Sequence, residues 1–171
     1  MKNIPWYKKP EMVVALSALI MSLVTTVVAI YSANVDRAYA RASVWPRLEL
    51  FKSSSSTDFK YGITNSGTGP AIIKYAKVTY KSKPIKQWNE IPNIPNFTQS
   101  HISSKVLSPE HTLIPLKSKN TSVNKFLEIN QHLKMELCYC SIYDECWLVD
   151  RSSNPTPIDQ CSIDKELKFN Q

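Results

Sequence analysis

The pattern of apolar and polar positions divides the chain into two unlike parts. From Met12 to Val35 the sequence runs for 24 residues without a charged side chain. A helix rises ~1.5 Å per residue, so this run reaches roughly 36 Å, enough to cross a bilayer core. A secretory signal competes with this reading, because Ala38-Tyr39-Ala40 has the small-x-small form of a cleavage site. Signal h-regions span only about 7–15 apolar residues, however, and the longer run reads as a retained signal anchor. Asn34 to Ser43 is expected to continue the helix beyond the membrane surface until Pro46 enforces an extended backbone.

Past Pro46 the period changes from helical to alternating. Trp45 to Lys52 sets Leu48 and Leu50 on one face, with Arg47 and Glu49 on the other. Asp58 to Asn65 groups Phe59, Tyr61 and Ile63, and Ala71 to Tyr80 groups Ala76, Val78 and Tyr80. Further strands are expected at Ile85–Trp88, Thr112–Leu116, Lys134–Tyr143 and Cys146–Arg151. Ile91 to Phe97 carries two prolines and reads as a surface loop. Ser122 to His132 spaces Val123, Phe126, Leu127 and Ile129 as one face of a short helix. The organisation that follows is a cytoplasmic N-terminus at 1–11, a transmembrane helix at 12–35, a helical juxtamembrane linker at 36–44 and an exported β domain at 45–171. About seven strands suggest an immunoglobulin-like β-sandwich, with a small β-barrel as the alternative.

Charge leaves the orientation of the anchor open and cysteine settles it. Lys2, Lys8 and Lys9 precede the helix, and Arg37, Arg41 and Arg47 follow it, so basic residues do not discriminate. All four cysteines follow the helix, which suits an oxidising compartment. The expected location is the inner (cytoplasmic) membrane, single-pass, with the N-terminus inside and residues 37–171 periplasmic or extracellular. The net charge of +7 is spread along the chain, and no nucleic-acid-binding motif accompanies it.

Three cysteines, Cys138, Cys140 and Cys146, fall within nine positions beside Tyr139, Tyr143 and Trp147, and Cys161 follows. Cys138 and Cys140 share a strand face and are poorly placed to bond each other. A turn at Tyr143-Asp144-Glu145 returns Cys146 opposite the first strand. Cys140–Cys146 with Cys138–Cys161 is one pairing, and Cys138–Cys146 with Cys140–Cys161 is the other. Four thiols would also suit zinc, but structural zinc sites favour CxxC-type knuckles, and no redox CxxC is present. Disulfide staples are the reading adopted, with no metal and no cofactor.

Other chemistry is sparse. Asn65-Ser66-Gly67-Thr68-Gly69-Pro70 lacks the lysine and following helix of a phosphate loop and reads as a turn between strands. His101, His111 and His132 share no metal-type spacing, and no nucleophile motif stands out, so no enzymatic activity is expected. Lys74, Lys77, Lys81, Lys83 and Lys86 occur with no acidic residue between Phe59 and Asn89. A hairpin turning at Ser82-Lys83-Pro84 would gather several of them. They either discourage edge-to-edge strand pairing or form a contact for an anionic lipid, glycan or acidic partner. Asn96-Phe97-Thr98 and Asn120-Thr121-Ser122 fit the N-glycosylation triplet, which matters only in a eukaryote.

Trp45-Pro46 after a membrane helix, then Asn65-x-Gly67-x-Gly69-Pro70-Ala71, then Cys138-Tyr139-Cys140-Ser141-Ile142-Tyr143 with Cys146-Trp147, resembles a group of small bacterial single-pass membrane-anchored proteins with no assigned activity. That resemblance implies a bacterial envelope location and no mechanism. The functional expectation is a non-enzymatic interaction or accessory subunit whose partners are the lipid bilayer and another protein or a second copy of itself. The alternative is a module sensing an envelope ligand.

Overall fold

The computed structural model describes residues 5, 7, 9–119 and 123–171. Lys2, Lys8, Ser122 and the Asn120-Thr121-Ser122 triplet lie outside the described residues. The chain forms two units, Met1–Ala42 and Ser43–Gln171.

The first unit is dominated by helix α1, Pro10–Ser43, which is long and apolar enough to cross a membrane and buries none of its side chains. The helix continues past Val35, as the sequence suggested, and stops three residues before Pro46. Four hydroxyls along its apolar run are satisfied internally. Ser17 Oγ donates to Val14 O (2.8 Å), Ser22 Oγ to Leu19 O (2.8 Å), and Thr25 and Thr26 hydroxyls to Ser22 O (2.9 and 2.8 Å). Such back-bonding removes the cost of placing hydroxyls among lipid tails.

The second unit is two antiparallel sheets around one core, a β-sandwich and not a closed barrel. Its strands are β1 (Leu48–Ser54), β2 (Asp58–Asn65), β3 (Ala71–Tyr80), β4 (Lys83–Ile85), β5 (Thr98–Gln99), β6 (Lys105–Leu107), β7 (Thr112–Lys119), β8 (Leu133–Cys140), β9 (Cys146–Asp150) and β10 (Thr156–Ile158). One sheet has the order β1-β2-β7-β5; the other runs β10-β9-β8-β3-β4, with β6 also pairing β3. Helix α2, Val123–Gln131, follows β7 and buries Val123, Phe126 and Ile129. The alternation of β1 to β3 puts Leu48, Phe59, Ile63, Ala76 and Val78 fully inside. An aromatic chain continues the core: Phe126 stacks on Phe59 (centroids 5.1 Å apart), and Tyr61 stacks on Trp88 (6.1 Å).

Three local expectations are corrected. The strand placed at Ile85–Trp88 is instead β4 at Lys83–Ile85 followed by a 3-10 turn, Trp88–Glu90. Pro84 is tolerated because β4 is an edge strand. The hairpin before it turns at Lys81 and Ser82, not at Ser82–Pro84. Both turn residues have positive φ (49° and 65°), the hand that matches the twist of a two-residue hairpin. β8 ends at Cys140 and not at Tyr143. There the Ser141 hydroxyl accepts from the Tyr143 and Glu145 N–H groups (3.1 and 3.3 Å) and turns the chain.

Candidate functional site

The end of the sandwich by which the chain enters from α1 gathers most of the sequence's distinctive residues. The start of β1, the end of β2, the starts of β3 and β7, and the β8–β9 turn all lie there. Asn65 organises this end. It is fully buried, donates through Nδ2 to Gly69 O (2.8 Å) and Leu107 O (3.0 Å), and accepts at Oδ1 from the N–H groups of Arg47 (3.1 Å) and Gly67 (3.0 Å). One side chain thus ties the loop after β2 to the start of β1 and to β6.

The glycines of that loop serve close approach. A Cβ on Gly69 would collide with the Val44 carbonyl, and one on Gly67 with the backbone at Trp45 and Arg47. The Thr68 and Gly69 N–H groups both donate to Trp45 O (2.9 and 3.2 Å), and Ser66 N–H donates to Arg47 O (2.8 Å). The loop is therefore a clasp on the segment that follows the helix. This fits the turn reading of the sequence rather than a phosphate cradle.

The aromatic residues of this end stack in series. Trp45 lies on Trp147 (6.0 Å) and Trp147 on Tyr139 (5.7 Å), whose hydroxyl accepts from the Leu48 N–H (3.3 Å). Burial raises the Tyr139 phenol above its ordinary value, and the Leu48 hydrogen bond and the Arg47 charge oppose the rise. Tyr139 and Trp147 are core-packed, whereas Tyr143 is 45% exposed at the turn.

All four cysteines are in disulfides: Cys138–Cys161 and Cys140–Cys146, the first of the two pairings. Cys140 and Cys146 are direct cross-strand partners, with Cα atoms 4.0 Å apart. Cys138 and Cys161 have Cα atoms 5.8 Å apart. Both bridges sit on the outer face of the six-stranded sheet. Leu137 and Tyr139, the alternate residues of β8, face the core instead. The sulfurs of Cys140, Cys146 and Cys161 lie within 4.8 Å of one another, a spacing a thiophilic metal would accept, but each is already committed to a covalent bond.

Of the five lysines, Lys74 and Lys77 lie in β3, and Lys77 lines a surface cavity with Ser82 and Lys134. Lys81 and Lys83 sit at the β3–β4 hairpin, at the opposite end of the sandwich. Lys77 lies 3.9 Å from Glu136 on the outer face, and Lys74 borders the cavity beside the cysteines. Lys86 is bonded to Glu166 (2.6 Å), a hydrogen bond that raises its ammonium above the ordinary value. His111 is exposed, with Nδ1 3.3 Å from Pro109 O, and His132 lies edge-on to Tyr80.

Sequence reasoning missed a surface feature. Among the described residues of the β domain, the exposed large apolar side chains are Trp45, Val106, Ile142 and Tyr143. All four belong to the helix-entered end: Val106 pairs with Ile72 near the start of β3, and Ile142 and Tyr143 occupy the β8–β9 turn. No periodicity reveals this, because the four are scattered over two loops and a three-residue strand. Models of known protein families give no match to the chain, and no curated protein matches it.

Proposed function

We propose that the chain is a membrane-anchored, non-enzymatic interaction or accessory subunit that presents its β domain outside the cytoplasm. The distribution of exposed apolar residues carries this reading. Trp45, Val106, Ile142 and Tyr143 sit at the end by which the chain arrives from a membrane-length helix, and the rest of the described domain surface has no large apolar residue so exposed. Scattered exposed apolar residues need no explanation, but their concentration at one end is what a contact surface requires. Trp45 follows the end of the helix by two residues, so the tether is short. A protein partner held in the same membrane is thereby confined close to this end. The disulfides support placing the domain in an oxidising compartment.

The lysine surface supports the ligand-sensing alternative less well, since only Lys81 and Lys83 share the hairpin tip. The test is photo-crosslinking in intact membranes from benzoylphenylalanine at Ile142, compared with the same probe at Lys83, with mass spectrometry of the tagged product. Capture of one stoichiometric foreign protein from position 142, lost on combining Val106→Asp with Tyr143→Asp, is expected. Self-cross-links alone would make the protein a homo-oligomer, and equal capture from position 83 would remove the helix-entered end as the contact surface.

A further inference from the structure

The two disulfides touch. Cys140 Sγ lies 3.7 Å from Cys161 Sγ, although the two belong to different bridges. This is close to van der Waals contact between sulfurs, the separation from which a thiolate attacks a disulfide. A surface cavity of about 290 Å³ opens onto both bridges, lined by Cys140, Cys146 and Cys161 together with Lys74, Asp144 and Asp159. Cys138 is fully buried and Cys140 nearly so, whereas Cys146 is 7% exposed and Cys161 is half-buried.

We propose that the four cysteines form a thiol–disulfide exchange site, in which a dithiol entering the cavity opens Cys140–Cys146 and Cys140 then displaces Cys138 from Cys161. The steps balance. A thiolate of the incoming dithiol attacks the more exposed Cys146 Sγ, and Cys140 leaves with the electron pair. The second thiol of the dithiol attacks the mixed disulfide and releases Cys146 as a thiol, and the dithiol departs as its own disulfide. The Cys140 thiolate attacks Cys161 Sγ; the Cys140–Cys161 bond forms, the Cys138–Cys161 bond breaks, and Cys138 leaves and takes a proton from water. Two electrons have entered, and one disulfide and two thiols remain.

The exchange has a mechanical result. Cys138 and Cys140 are two residues apart on one face of β8, a distance of about 7 Å along the strand. Because Cys161 Sγ already lies 3.7 Å from Cys140 Sγ, forming the new bond of about 2 Å draws Cys161 toward Cys140 by only about 2 Å and shifts the chain around it. Segment 159–171 is anchored eight residues after Cys161 by Phe169, which is fully buried, so the intervening chain must absorb the shift. The site thus couples the arrival of a dithiol, of a small molecule or of a protein, to the position of this segment.

Cys146→Ser in the full-length protein leaves Cys140 as a free thiol beside the Cys138–Cys161 bridge. After acid quenching, alkylation with N-ethylmaleimide and peptide mapping, label is expected on both Cys138 and Cys140, together with a Cys140–Cys161 peptide. Label on Cys140 alone, in a protein whose near-ultraviolet circular dichroism is native, overturns the proposal. Should the variant not fold, the native protein is treated with one equivalent of dithiothreitol without denaturant and trapped over time. A Cys140–Cys161 species is expected among the two-electron-reduced forms. Persistence of Cys138–Cys161 in every such form overturns the proposal.

Discussion

Single residues at two buried positions show how polar groups are carried inside this fold. Asn65 makes four hydrogen bonds with no access to water, and three of its partners belong to segments far apart in sequence: Arg47 before β1, Gly69 before β3 and Leu107 in β6. Asn65→Ala strands two carbonyls and two N–H groups. A neutral hydrogen bond is worth about 1 kcal/mol net and a stranded buried partner costs more, so a loss of about 3 kcal/mol is expected in urea melts. Asn65→Asp is expected to be comparably damaging, because it keeps the acceptor but removes both Nδ2 donors. Tyr61 gives a pH-dependent counterpart. Burial holds its phenol well above the ordinary value, against a smaller opposing effect from Arg151, and its hydroxyl donates to Asn130 Oδ1 (2.9 Å). Because the folded value is raised, the contribution is complete below the unfolded value of about 10 and is lost as pH rises beyond it. Stability is therefore expected to fall above about pH 10. Tyr61→Phe should make that fall shallower, as read from urea midpoints at pH 9 and pH 11. Tyr139 and Tyr75, also raised by burial, leave a residual slope in the variant.

At the scale of elements, legibility followed length. β2 and β3 were readable to the residue, because eight and ten alternating positions specify a face and the turns on either side are polar or contain glycine. β5, β6 and β10 were not. Each has two or three residues and exists only because a partner strand lies beside it: β7 for β5, β3 for β6 and β9 for β10. Segment 159–171 was the largest omission. It reads as polar, yet Phe169 is fully buried edge-on against Trp88 (4.8 Å). Its N–H donates to Ala76 O (2.9 Å) at the part of the β3 edge between β6 and β4, which neither strand covers. One aromatic residue in a polar stretch has no period, so no local pattern marks it as core. Phe169→Ala is expected to cost about 3–5 kcal/mol, the range for emptying a buried aromatic site, and to increase hydrogen exchange at the Tyr75–Val78 amides. Exchange unchanged there would mean that the segment does not seal the edge.

For the whole molecule, the core and the staples are separate. The apolar cluster lies between the sheets, whereas both disulfides lie on the outer face of one sheet. The cysteine cluster was visible in the sequence as a candidate site, but the contact between its two bridges was not, since it arises only when Cys161 crosses back over β8. If the core alone holds the fold, removing the bridges should lower stability without abolishing cooperative folding. Cys138–Cys161 closes a separation of 23 residues and Cys140–Cys146 one of six. Restriction of the unfolded chain makes the first worth about 3 kcal/mol and the second about 2 kcal/mol. The double variant Cys138→Ala/Cys161→Ala should therefore lose more stability than Cys140→Ala/Cys146→Ala. Only the first should loosen segment 159–171, because the second bridge links adjacent strands that the sheet already holds together. Equal losses in thermal melts would mean that the Cys140–Cys146 turn, which carries Ile142 and Tyr143, depends on its bridge for more than chain entropy. The exposed apolar end would then owe its shape to the disulfide, and reducing the protein would alter its contact surface as well as its stability.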